Sequence, residues 1–277
     1  MLEKNKIYNR DCLDAMRDID DKTVDLILCD LPYGITARNV WDEQIDTVQL
    51  WTQYRRIIKD NGVIILFGSG MFTADMMRAG AEMWRYNLIW AKTQPTGFYN
   101  ARRCPLRAHE DIMIFYKKQP VYNPQKTYGH KRKVATAEHK KNCVQSLCYQ
   151  QHKKTKTYDS TERFPTSILT YKKDKQNCSM HPTQKPVDLL RWLIRTYTNV
   201  GDLVLDNACG SGSSCVAAVL EDRKYIGIDN GFCENPKSEY HGQPWAEIAK
   251  NRISDIKDRN MWEGSAPSLT KGAKNGV

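Results

Sequence analysis

The sequence predicts an α/β protein organised around a mostly parallel sheet. Three observations carry this. Compact apolar runs occur at Val24–Cys29, Val63–Phe67, Leu203–Leu205 and Tyr225–Ile228. Segments with helical periodicity lie between them, as at Thr47–Lys59. Most runs end in a carboxylate or a glycine cluster: Asp30, Gly68-Ser69-Gly70, Asp206 and Asp229. Strands buried on both faces read as continuous apolar runs, and helices between them make parallel crossovers. Ligands of such sheets bind beyond the C-terminal strand ends, which singles out Asp30–Tyr33, Asp206–Gly212 and Asp229.

The elements follow in order. Lys6–Asn9 reads as a short strand leading to Asp11, with a helix over Cys12–Arg17. After Val24–Cys29, residues 34–46 read as loop. Thr47–Lys59 reads as an amphipathic helix closed by Asp60-Asn61-Gly62. Val63–Phe67 is a strand, Phe72–Ala81 a helix, and Tyr86–Trp90 and Ile112–Tyr116 are strands joined by a loop containing Pro and Arg. Pro186 opens a helix with an apolar stripe at Val187, Leu190, Ile194 and Tyr197. Leu203–Leu205 leads through a Gly-rich turn into a small-residue helix, Ser213–Leu220. Tyr225–Ile228 is the last strand and Trp245–Ile253 the last helix. The tail is polar and Gly-rich and is expected to be disordered. No internal repeat is visible.

At 277 residues the chain can bury one large core with a small appended region. No apolar run reaches the roughly 18 residues that span a bilayer, and Met1–Lys6 is not a secretory segment. A membrane role is excluded on this reading and a cytosolic location expected. Nine cysteines, an odd number in a chain of this size, read as reduced thiols. The net charge of +10 is concentrated: residues 117–175 hold 15 Lys and Arg against four acids. Tyr122, Tyr128, Tyr149, Tyr158 and Tyr171 are interleaved there. The block suits a polyphosphate partner, and its length marks a functional insertion. A solvated basic loop is the other reading.

Asp30-Leu31-Pro32-Tyr33 is the most informative stretch. A short carboxylate, a stiff proline and an aromatic ring at a strand end form a pocket for a flat ring bearing an amine. The backbone supplies carbonyl acceptors, Asp30 another, and the Tyr33 face can stack. Asp206-Asn207-Ala208-Cys209-Gly210-Ser211-Gly212 joins a strand to a helix and lets a ligand approach the backbone. Asp229 ends the next strand, where a carboxylate commonly accepts from ribose hydroxyls. Together they indicate a nucleoside-containing cofactor. Cys215 occupies the third position of G-x-G-x-x-G, so a pyrophosphate cradle is incomplete. S-adenosylmethionine needs no such cradle, and its sulfonium is an electrophile for an oriented amine. His181-Pro182-Thr183-Gln184-Lys185-Pro186 precedes a helix, with Lys185 available to pair with a cofactor carboxylate.

In this order the motifs resemble the β class of amino-group DNA methyltransferases, which modify adenine N6 or cytosine N4. The similarity spans about residues 5–256. The resemblance implies a Rossmann-like methyltransferase fold with a seven-stranded sheet, the last strand antiparallel, and circularly permuted motifs. It implies that Asp30 and the Pro32 carbonyl accept from the target amine while Tyr33 stacks on a flipped base. Gly210, Ser211 and Gly212 would wrap the methionine end of S-adenosylmethionine, near Asp206, and Asp229 would hold the ribose. Asp11 and Cys12 would read the cofactor adenine, and Thr183 and Lys185 would meet the methionine carboxylate. Two departures stand out. Leu31 replaces a proline, which should loosen the loop. Asn207-Ala208 replaces Pro-Phe and removes an aromatic wall.

The implied organisation is a catalytic half at 1–118, a basic target-recognition region at 119–180, a cofactor half at 181–258 and a tail at 259–277. Duplex DNA is the implied partner through 117–175, in a bacterial or phage-encoded protein, with homodimerisation common in such a family. Adenine N6 is the preferred target because the motif begins with Asp, whereas members with Ser there more often modify cytosine N4. A cytosine-C5 mechanism is rejected: Cys104-Pro105 reverses the needed Pro-Cys order and lies away from the strand-end motif. Methyl transfer to RNA or a protein amide, and a non-catalytic DNA-binding descendant, remain as other classes. His139-x3-Cys143-x4-Cys148-x3-His152 contains zinc-type ligands, with Cys178 and His130 also in the block. The spacing is not a standard finger pattern, and no metal site is assigned.

Overall fold

The computed structural model describes residues 2–33, 45–136, 157–174 and 184–263, with side chains to residue 258. It resolves into two compact units, 1–122 with 167–277, and 123–166. The larger unit is built on one sheet. Its strands are β1 (Lys6–Tyr8), β2 (Val24–Cys29), β3 (Ile58–Gly68), β4 (Trp84–Thr96) and β5 (Arg107–Phe115). In the smaller unit are β6 (Lys133–Ala135) and β7 (Tyr158–Ser160); β8 (Ile168–Tyr171), β9 (Leu203–Asp206) and β10 (Lys224–Ile228) return to the large sheet. The helices are α1 (Cys12–Arg17), α2 (Thr47–Ile57), α3 (Met71–Ala79), α4 (Val187–Tyr197), α5 (Ser213–Leu220) and α6 (Trp245–Glu263). None is long and apolar enough to cross a membrane.

The sheet order is β1-β10-β9-β2-β3-β5-β4-β8. Only β5 pairs antiparallel with its neighbours, β3 and β4; every other pairing is parallel. The described sheet therefore has eight strands where seven were expected. The extra one is β8, drawn from the segment grouped with the basic region. It docks beside β4, and Trp90 Nε1 donates to the Tyr171 carbonyl at 3.1 Å.

Period-two alternation splits the strand side chains between two cores. Leu26, Leu28, Val63 and Ile65 face α4, α5 and α6. Ile27, Cys29, Ile64 and Leu66 face α1, α2 and α3. At roughly 25 cal/mol per Å² of apolar surface, these two layers supply most of the stabilisation. Asp25 ties three strands together at one end of β2: it pairs with Lys59 of β3 at 2.6 Å and accepts from Leu203 N of β9 at 2.9 Å.

Several boundaries differ from the sequence expectation. α2 stops at Ile57, because the chain passes directly into β3 at Ile58, and Asp60-Asn61-Gly62 lies within that strand. The helical stripe continues only as far as Trp51, Tyr54 and Ile57 can be buried. Strands β4 and β5 are longer than their apolar cores, since backbone pairing extends to Thr96 and Arg107. The last helix runs to Glu263, beyond Ile253 and into the segment expected to be tail.

In the smaller unit β6 and β7 pair antiparallel. Arg132 makes a two-pronged contact with Asp159 at 2.8 and 2.5 Å. Lys126 pairs with Glu162 at 2.8 Å.

Gly80 follows α3 and lies against the buried Trp51. A Cβ placed there would come within 2.1–2.6 Å of the indole ring. Gly80→Ala should therefore destabilise the protein by about 1–3 kcal/mol through overpacking, read as a lower urea midpoint at unchanged slope.

Candidate active site

The centre of the sheet is where the winding direction changes: β2 leads outward to β3, and β9 leads outward to β10 on the other side. Loops leaving such adjacent strands diverge and open a crevice. Here it is a cleft of about 930 Å³. Asp30, Leu31, Pro32 and Tyr33 line it after β2, and Asp206 to Ser211 after β9. Asp229 follows β10, Asp11 and Cys12 open α1, and Lys185 precedes α4.

Asp30 is the focus of one end of the cleft. Tyr33 Oη donates to its Oδ1 at 2.7 Å, and Lys185 Nζ donates to Oδ2. Burial raises the Asp30 pKa, with Glu110 adding to the rise and Lys185 opposing it. The Tyr33 ring rests on Phe72, with centroids 4.7 Å apart. Leu31 is buried in the same core as Leu50, Phe72 and Met76. It therefore anchors the loop, where loosening had been expected.

Lys185 continues into a charge cluster that sequence reasoning missed. Its ammonium lies 3.3 Å from Glu110 Oε2, and Lys92 lies 2.5 Å from Glu110 Oε1. Burial works against the Lys185 charge, but Asp30 and Glu110 together hold its pKa above the ordinary value. Burial likewise opposes the Glu110 charge, yet the two lysines hold its pKa below the usual range. Lys185 was expected at the methionine carboxylate; in the structure it is engaged by Asp30 and Glu110. A Lys in β4 and a Glu in β5 carry no motif of their own, and only the strand pairing brings them together.

The cofactor end is built on the turn after β9. Asp229 accepts from Gly210 N at 2.7 Å and Gly231 N at 2.9 Å. Burial raises its pKa while these two backbone donors oppose the rise. Gly212 has φ +77°, and a Cβ there would stand 2.8 Å from Ala249 of α6. Glycine is thus required both for the left-handed turn and for the close helix approach. Arg252 of α6 rivets the turn, donating to the Ser211 carbonyl at 3.1 Å and Ser213 Oγ at 2.9 Å. Cys215 fits the third-glycine position because Gly227 of β10 leaves room for its sulfur.

Asp206 accepts from Ala208 N at 3.1 Å and from Ser214 Oγ. No cation pairs with it among the described residues, and burial pushes its pKa up to about 6. Asn207 takes the place of an aromatic wall. Its Oδ1 accepts from the buried Tyr54 hydroxyl at 2.7 Å, and its Nδ2 has no hydrogen-bond partner among the described residues. Gln184 bridges Asp174 and the turn after β9, donating to Asp174 and accepting from Ser211 Oγ, both at 3.3 Å.

Asp11 caps α1 by accepting from Asp14 N at 3.0 Å. The adjacent Cys12 thiol is pushed up to about 11 by burial and is not a thiolate at neutral pH. Thr183 lies outside the described residues, as do His139, Cys143, Cys148, His152 and Cys178. His130 Nε2 sits 2.6 Å from the Thr127 hydroxyl.

Comparison with known proteins shows the family and the fold. A family model described as DNA methylase, N6_N4_Mtase, matches residues 24–233. The type II methyltransferase M2.MboI of Moraxella bovis is 27% identical over 266 residues, covering 86% of this chain and 89% of the relative. M.HinfI of Haemophilus influenzae is 27% identical over 283 residues, covering 91% and 69%. Among solved structures, the cytosine-N4-specific PvuII DNA methyltransferase has a similar fold, with TM-score 0.60, 14% identity and coverage of 94% and 93%. The M1.HpyAVI complex with S-adenosylmethionine gives TM-score 0.58 and 21% identity, with coverage of 90% and 98%. The chain belongs to the N6_N4_Mtase family of DNA methylases.

Proposed function

We propose that the protein transfers a methyl group from S-adenosylmethionine to N6 of an adenine turned out of duplex DNA. The observation that carries this is the meeting of Asp30, Pro32 and Tyr33 with Asp206, Gly210, Ser211 and Asp229 along one cleft.

The cleft chemistry fits the cofactor. Asp229 keeps acceptor capacity on a carboxylate already oriented by two backbone donors, which suits a ribose diol. Asp206 is a buried carboxylate with no counter-cation among the described residues, which suits an ammonium. Asn207 Nδ2 is a buried donor in want of an acceptor. About 930 Å³ leaves room for a nucleoside cofactor and a base together.

When bound, S-adenosylmethionine supplies a sulfonium-borne methyl group. The target nitrogen would receive that methyl group and would then have to lose a proton. The protein's task is to make that nitrogen nucleophilic, because its lone pair is delocalised into the ring. Acceptors at Asp30 and the Pro32 carbonyl draw the amine hydrogens out of the ring plane. Tyr33, braced by Phe72, offers the ring a stacking surface. Burial makes Asp30 a better proton acceptor than an exposed carboxylate, so it can take the released proton on to solvent. Alignment of the reacting atoms supplies much of the rate.

The target base has to leave the helix, and the surface chemistry supports a nucleic-acid partner. In the smaller unit the acids Asp159 and Glu162 are each paired with a base, while Lys131 and Lys133 remain exposed. In the larger unit the exposed segment from Phe98 to Leu106 adjoins the cleft residues Thr96 and Arg107 and carries Arg102, Arg103 and a fully exposed Tyr99. Cations with exposed aromatic rings suit phosphates and unstacked bases. Adenine is preferred because Asp30 opens the motif; Ser in that place would point to cytosine N4.

Three outcomes are expected. Nucleoside mass spectrometry of DNA from cells expressing the protein should show N6-methyladenine; N4-methylcytosine alone would overturn the choice of base. Asp30→Ala should lower kcat by at least about 10²-fold while calorimetric cofactor affinity stays within a few-fold. Cofactor affinity should hold steady above pH 6 and weaken as pH falls through about 6, because protonation removes the Asp206 charge. The loss should approach tenfold per pH unit, and Asp206→Asn should be weak and flat across the same range.

A further inference from the structure

We propose that Glu110 is a positioning residue that sets the charge state of Asp30 by sharing the Lys185 ammonium with it. The inference rests on the reading of Asp30 as the group that accepts the target amine.

The groups form an alternating chain: Tyr33, Asp30, Lys185, Glu110, Lys92. They come from the loop after β2, the approach to α4, β5 and β4. Lys92 and Glu110 meet because Trp90 pairs directly with Glu110 across β4 and β5, which makes Lys92 its diagonal neighbour on the same face. The side chains are withdrawn from water: 3% exposed for Lys92, 7% for Lys185, 14% for Glu110 and 23% for Asp30. Two carboxylates and two ammonium groups make the chain neutral, a condition for keeping charges at such depth.

Lys185 is shared unequally. It donates directly to Asp30, while Glu110 Oε2 lies farther from the ammonium, at 3.3 Å. Glu110 Oε1 is held by Lys92 at 2.5 Å. A one-to-one pair between Lys185 and Asp30 would neutralise Asp30 and weaken it as an acceptor. A second carboxylate on the same ammonium leaves Asp30 charged but only partly compensated, with its acceptor strength directed at the cleft. The other titratable groups facing Asp30 are Cys29 and Tyr33 on its own segment. Farther out, Lys173 beyond β8 adds positive charge beside Lys92, Glu110 and Lys185.

The sign is specific. Removing the Glu110 charge should make Asp30 more acidic, whereas removing Lys185 should make it less acidic. Carboxyl ¹³C NMR titration of the cofactor-free protein, with Asp30 assigned by Asp30→Asn, reads this without turnover. The Asp30 midpoint should fall by about one pH unit in Glu110→Gln and rise in Lys185→Met, and Glu110→Asp should restore most of it. Glu110→Gln/Lys92→Met removes one charge of each sign and serves if the single variant does not fold; its midpoint should also fall. An unchanged or raised midpoint in the Glu110→Gln variants overturns the proposal. The acid limb of the kcat profile on DNA should move with the midpoint, with a several-fold lower plateau. A midpoint that moves while the acid limb stays would uphold the Glu110 effect and refute Asp30 as the acceptor of the amine.

Discussion

The contact between Lys185 and Asp30 joins parts of the chain 155 residues apart, and the catalytic end of the site depends on it. Asp30 sits at the end of a strand buried on both faces, and burial alone would favour its neutral form. On the proposed reading of Asp30 a neutral carboxyl would be a poor acceptor for the target amine. The lysine keeps the charge available. Its own burial would be unfavourable without a second carboxylate, and Glu110 in turn needs Lys92. The requirement for one acidic acceptor thus propagates through four side chains until the cluster is neutral.

The cofactor end is made rigid by a different means. It relies on backbone donors to Asp229, the left-handed Gly212, and the Arg252 guanidinium laid across the turn. These contacts place polar groups without using up their acceptor capacity. Asp206 and the Asn207 amide retain unmet polar demand in the same cleft. Such demand destabilises an empty site and is relieved by a ligand of matching polarity. Gln184 links this end to the approach of α4, so the segment carrying Lys185 is tied to both ends of the cleft.

The chain's positive charge is divided between surfaces of different character. The smaller unit contains a small β-ribbon, and its Asp159 and Glu162 are each paired with a base. The loop between β4 and β5 belongs to the methyltransferase fold itself and presents arginines and aromatic rings beside the cleft. Phosphate attraction and handling of an unstacked base are separate physical tasks, and these surfaces suit them separately.

The sequence by itself determined the α/β class, the core strands and the motif order. Continuous apolar runs, helical periodicity and glycines at strand ends are local signals that survive without a partner. Asp30, Tyr33, Gly210 and Asp229 were legible for that reason, and their shared cleft followed from parallel-sheet topology. The tertiary structure alone decided where Lys185 points, that Leu31 anchors its loop, that β8 extends the sheet, and that Lys92 and Glu110 belong to the site. Each depends on contacts between separate segments: β4 with β5, β4 with β8, the approach to α4 with the end of β2, and Leu31 with α2 and α3. A single Lys or Glu in a strand looks like any other polar residue until its neighbour across the sheet is known. What sets those two apart is burial next to an opposite charge, a property of the assembled fold.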